Sequence, residues 1–139
     1  MVAPSKGRRN ALLLSPLILF PALMLAALYL FRESSRRQLV AAPAIYEAQA
    51  SAALGARIGL PIVSGWPVRG EMTSRQGFGN ANLRIPIKGS RGKGELLEWA
   101  QLQNGQWYMC SLVFRSANGS TLPILDAEKD AAKTGCQPE

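Results

Sequence analysis

The chain has 139 residues, enough for one folded domain once a membrane segment is set aside. Its 16 lysines and arginines against 9 acidic residues give a formal charge of +7, but six of those cations stand with Glu33 alone in residues 1–37, which leaves +2 for residues 38–139. The basicity therefore belongs to the flanks of an apolar segment and counts against nucleic acid as a partner, and the absence of histidine removes Ser-His-Asp and Cys-His nucleophiles and most zinc and copper sites.

Residues 1–10 form a basic tail carrying Lys6, Arg8 and Arg9. Residues 11–31 hold no charge, and 21 residues in a helix cover roughly 30 Å, the thickness of a bilayer's hydrocarbon core. A transmembrane helix is expected here, kinked in its first half at Pro16 and Pro21, with Tyr29 at the interface. A cleaved signal peptide is the rival reading. The apolar run is longer than a signal core, and it is followed at once by Arg32, Glu33, Arg36 and Arg37 where a cleavage site would stand, so an uncleaved anchor is favoured. Lys6, Arg8, Arg9, Arg32, Arg36 and Arg37 are the flank anchors, and their slight imbalance sets the N-terminus in the cytoplasm and the domain in the periplasm of a bacterium. In that compartment Cys110 and Cys136 are a candidate disulfide. The same two residues equally fit one buried apolar thiol and one exposed tail thiol.

A juxtamembrane linker, residues 32–43, precedes a domain over residues 44–126. Residues 44–57 are rich in alanine, with Ile45, Ala48, Ala52 and Ala56 on one face and Pro43 at the first turn, which predicts an amphipathic helix. Gly55, Gly59 and Pro61 end it. Beyond Trp66 the pattern turns to alternation, with Leu83, Ile85 and Ile87 facing one way and Arg84, Pro86 and Lys88 the other. Pro86 cannot donate to a ladder, so its strand is expected at an edge or paired there through carbonyls only. Residues 88–94 make a glycine-rich hairpin loop. Asn104-Gly105 is the dipeptide most favoured in a two-residue type I′ turn, between an apolar run at 96–102 and a strand at 107–114 that is apolar on both faces, Trp107, Met109 and Val113 against Tyr108, Cys110, Leu112 and Phe114. A short strand at 121–125 and a polar tail over 127–139 complete an α+β domain, one amphipathic helix packed on an antiparallel sheet of four to five strands.

Two glycine motifs carry no nucleotide chemistry. Gly77-Phe78-Gly79 lacks a third glycine at Asn82 and precedes a strand, and Gly92-Lys93 would need glycine at Ile87 and Ser or Thr at Gly94. Glu95 and Glu98 fall on opposite faces of a regular strand, which defeats a paired acid/base role. No catalytic residue, metal or cofactor is expected, and the chain reads as a non-enzyme. Trp99 and Trp107 read as core, whereas Trp66, between Gly65 and Pro67, is held open as exposed. Lys88, Arg91 and Lys93 form a positive knob suited to lipid headgroups or to a protein partner, or else a solvated hairpin tip.

Gly59-x-Pro61, Val68-Arg69-Gly70, the run from Gly79 through Asn80-Ala81-Asn82-Leu83-Arg84-Ile85-Pro86-Ile87-Lys88-Gly89 to Gly92-Lys93-Gly94, Gly105-Gln106-Trp107 and Leu112 together resemble the cytochrome c oxidase assembly factor 1 family. The likeness covers residues 45–114 and the single N-terminal membrane helix. It implies a domain similar to a small subunit of the mitochondrial import translocase, and an inner-membrane protein that assists biogenesis of a haem-copper oxidase by contact with an oxidase subunit or another assembly factor, with no cofactor of its own. No amphipathic presequence precedes the membrane helix, which favours a bacterial inner membrane over a mitochondrial one. The alternative is a tethered periplasmic structural or ligand-binding module unrelated to respiration.

Overall fold

The computed structural model describes residues 7–126, 129, 130, 135 and 136. It divides into two compact units, Met1–Ser35 and Arg36–Glu139. Lys6 and most of the polar tail lie outside the described residues, as do the side chains of Arg8 and Arg9.

The first unit is helical from Gly7 onward, the start of α1 (Gly7–Ala50). Its apolar side chains from Ile18 to Phe31 are all exposed, as suits contact with lipid acyl chains rather than with a protein core. One helix of the described residues is long and apolar enough to cross a membrane, over Ile18–Ala50. The polar juxtamembrane linker expected at 32–43 is helical, as part of α1, which runs on to Ala50. Pro43 accordingly lies inside α1 and not at a first turn.

In the second unit the C-terminal part of α1 supplies Val40, Ala41, Ala44 and Ala48 to the core, spaced three or four apart on one stripe. The helix expected to run unbroken over 44–57 is divided at Ser51. Its hydroxyl accepts from the Leu54 N–H and caps a new helix, α2 (Ala52–Ile58), which buries Leu54 and Ile58 and leaves Ala52 and Ala56 exposed.

The sheet is antiparallel and comprises β1 (Val63–Ser64), β2 (Arg69–Arg75), β3 (Phe78–Lys88), β4 (Lys93–Gln103), β5 (Gln106–Ser116) and β6 (Thr121–Leu125), in the order β1-β3-β4-β5-β6, with β2 also on β3. Strand β3 is thus interior. Pro86 falls in the gap between β2, whose ladder ends at Arg84, and β1, whose ladder begins at Ile87, and there its carbonyl accepts from the Gly65 N–H at 2.6 Å. The sheet tolerates proline because on this side it pairs with Gly65 through its carbonyl alone.

Asn104 (φ 51°) and Gly105 (φ 81°) form the expected β4–β5 turn, and Gln76 (φ 51°) with Gly77 (φ 83°) forms a like turn between β2 and β3. The inner face, under the helices, carries Ala81, Leu83, Ile85 and Ile87 of β3, Leu96 and Ala100 of β4, and Leu112 and Phe114 of β5. Along β5 the alternation does not run unbroken. Trp99 pairs with Ser111 and Ala100 with Met109, so Cys110 is the extra residue of a bulge, and Trp107 and Met109 share the inner face with Leu112 and Phe114.

Candidate interaction site

The outer face of the sheet carries the even positions of β3 and the odd positions of β4. Arg84, Pro86 and Lys88 lie beside Lys93, Glu95, Leu97 and Trp99, and β5 adds Ser111, Val113 and Arg115. The buried residues of both helices belong to the inner-face core. Leu97, Trp99 and Val113 are therefore only half-buried, and Trp99 stands on this outer face, where it was expected in the core. Trp107 does pack against the core. An apolar centre with an indole, rimmed by arginine and lysine, has the make-up of a protein-binding surface.

The rim is built from the strand ends. Lys88 and Lys93 pair across the β3–β4 hairpin and, with Pro86, Glu95 and Arg115, line an open cavity of about 650 Å³. Arg115 donates to Glu95 at 2.8 Å, so that the one carboxylate there is already engaged, while the ammonium groups of Lys88 and Lys93 stand exposed. Next to this cavity Trp66 is 72% exposed and lines a smaller hollow with Pro67, Arg69, Arg84, Pro86 and Glu95. The structure thus brings together Trp66, Lys88 and Lys93.

Arg91 does not join them. Its guanidinium donates to the Ala56 carbonyl at 2.7 Å, and its own N–H donates to the Ile58 carbonyl at 2.7 Å, closing the C-terminal end of α2. Gly89 lies so close that a Cβ there would meet the carbonyl oxygens of Ile58 and Gly59. The glycine-rich loop is a docking piece for a helix end as well as a hairpin tip.

Of the expected flank anchors, Arg32 and Arg36 are exposed and Arg37 is half-buried; Arg36 and Arg37 belong to the second unit. Cys110 and Cys136 form a disulfide with a Cα–Cα distance of 5.6 Å, fastening the tail at the bulge of β5, where Gly135 packs on the Tyr108 ring.

Glu98 is on the inner face, between Leu83 and Leu112 in register, and is 3% exposed. Glu95 is on the outer face, so the separation of the two carboxyls read from strand alternation is what the register gives. Burial pushes the Glu98 carboxyl up to about 8. Its depth was signalled by its place in the alternation of Leu96, Ala100 and Leu102.

No curated protein and no solved structure matches the chain. The model of one family does, over residues 14–126, which takes in the membrane helix, both short helical stretches that pack on the sheet and all six strands. By that match the chain belongs to the family described as cytochrome oxidase complex assembly protein 1.

Proposed function

We propose that this protein is a non-enzymatic membrane-anchored factor that assists assembly of a haem-copper cytochrome oxidase by protein–protein contact, with its domain on the periplasmic side of a bacterial inner membrane. Family membership supports the assembly role. The observation that carries the contact mode is the outer face, where exposed Trp66 and half-exposed Trp99 each lie beside Arg84, with Lys88 and Lys93 at the hairpin end of the same face. Indole anchors inside a cationic rim suit a partner segment that offers an apolar side chain beside acidic groups. The disulfide supports an oxidising compartment, and the basic residues beside the membrane helix support contact with acidic lipid headgroups.

Affinity purification of the full chain from mildly solubilised membranes is expected to recover oxidase subunits or another assembly factor. Trp66→Ala and Trp99→Ala together should lower that recovery about tenfold, the loss expected for an interface anchor. Recovery of no respiratory protein, with full function kept after the membrane helix is exchanged for an unrelated anchor, would support the tethered-module reading instead.

A further inference from the structure

Glu98 lines a second cavity, of about 460 Å³, on the face opposite the Trp66 and Trp99 surface. Its walls come from three directions: Leu39, Val40 and Pro43 of α1, Met72 and Ser74 of β2, and Ala100, Trp107 and Met109 of the sheet's inner face. Neither carboxylate oxygen of Glu98 has a hydrogen-bond partner among the described residues. A buried carboxyl group left without a partner is costly, and natural interiors hold few of them.

The charges around the cavity are few. Arg36 lies at its rim and is exposed, its guanidinium making no bond to Glu98, and among the described residues no other charged side chain but Glu98 itself lines it. Arg37, next along α1, is half-buried and does not bond to Glu98 either. Strands β3 and β5 face Glu98 with Leu83 and Leu112, and β2 adds only the hydroxyl of Ser74. The remaining wall is aliphatic, with two thioethers and an indole, groups that favour a methylene stem and tolerate a cation close by. The volume falls within the range of small-molecule pockets and exceeds one side chain, and the Glu98 oxygens lie just beneath its wall, so a guest reaches them by a small shift of the lining side chains.

We propose that this cavity receives a lysine or arginine side chain of a protein partner, its stem along Leu39, Met72 and Met109 and its terminal cation on the Glu98 carboxylate. Before the guest arrives the acid is protonated at neutral pH. As the cation binds, Glu98 releases its proton to water and the cation keeps its own, so that the site exchanges a proton for an ion pair and holds its guest more tightly as pH rises toward 8. The inference rests on the contact-factor reading only in taking the guest from a protein, and it adds a second recognition site on the other side of the sheet.

The test is a carbon NMR titration of the Glu98 carboxyl in the full chain, in nanodiscs, across pH 5 to 10. The probes are n-butylammonium and n-butylguanidinium chloride, with sodium chloride and n-butanol as controls. Either organic cation is expected to lower the titration midpoint by about one pH unit relative to sodium chloride, equivalent to about tenfold tighter binding to the ionised form. The Trp107 indole signal should move with it, n-butanol should leave the midpoint in place, and Glu98→Gln should abolish the Trp107 response while leaving the Leu83 and Leu112 methyl signals unshifted. Organic cations that act no differently from sodium, or n-butanol that shifts the midpoint as far, would overturn the proposal. Because the probes replace the partner, that failure would leave the oxidase-recovery experiment untouched.

Discussion

A carboxyl group enclosed by Leu83, Leu96 and Leu112 binds its proton more tightly in the folded chain than in the unfolded one. Between 4.5 and about 8 the unfolded chain has lost this proton while the folded chain keeps it. Stability therefore falls as pH rises through that window, by about 1.4 kcal/mol per pH unit at most, and levels off above it. Glu98→Met, which fills similar volume without the acid, is expected to be more stable than the parent at pH 8 by roughly 1–3 kcal/mol and to differ much less at pH 5. Thermal melts of the full chain at the two pH values measure it, and an equal offset at both would remove the linkage. At this scale the sequence was readable where a residue's conformation is its own affair, as with Asn104 and Gly105, whose positive φ angles were expected from the dipeptide. It was less readable where a neighbour decides. Trp99 looks like core on hydrophobicity alone, and only the register shows that it lies on the face opposite the one the helices pack against. Cys110 looks like one more alternating position until the pairing on either side of it reveals a bulge.

The loop between β3 and β4 shows what one element owes another. Arg91 and Gly89 close the C-terminal end of α2, so Arg91→Ala should cost about 1–2 kcal/mol in urea unfolding, the worth of a charged donor on helix carbonyls. Lys88→Ala and Lys93→Ala, whose ammonium groups stand in solvent, should change stability by no more than about 0.5 kcal/mol. In partner recovery the order is expected to reverse, the lysines mattering and Arg91 not. An Arg91→Ala protein of unchanged stability would show that the loop is only a tip. The resemblance in residues 88–94 was visible in the sequence, but its reason was not, since the carbonyls it serves belong to a helix some 30 residues earlier. Strand β2 was the least legible element. Its residues RGEMTSR are exposed apart from half-buried Gly70 and Met72 and present no apolar face, so hydropathy offers no period to follow. The stretch at 32–43 reads as a polar connector by its charges, and it is helical because charged residues are good helix formers, with Val40 and Ala41 within it already in the core.

For the whole molecule, the Cys110–Cys136 bridge links the sheet to a tail 26 residues further on. A loop of that length restricts the unfolded chain by about 3 kcal/mol, so Cys136→Ser should lower the unfolding free energy by that order. In intact cells a membrane-impermeant thiol reagent is expected to label the parent protein only after reduction. Labelling without reduction, and only after permeabilisation, would place the domain in the cytosol and send the search for partners to the other side. The single membrane helix and the α+β class were legible because both rest on composition and period over long windows. The cavity around Glu98 was not, because it is assembled from residues 36–43, 72–74, and 98–109, three stretches that no local pattern associates.

The way Pro86 sits in the gap of one sheet edge has a consequence for how the chain acquires its shape. Strands β2 to β6 each pair with the strand next to them in sequence, so the meander can grow hairpin by hairpin as it leaves the membrane, every step closing a loop of a few residues. Strand β1 alone must wait: it reaches past β2 to find the far end of β3, and it finds there a place that β2 has left open because Arg84 is its last pairing position. The stop in β2 acts as a ruler, reserving a berth of two residues for the segment that joins helix to sheet. An extension of β2 by two pairings would set Pro67 opposite Pro86, in the place that Gly65 requires, and leave β1 without its seat.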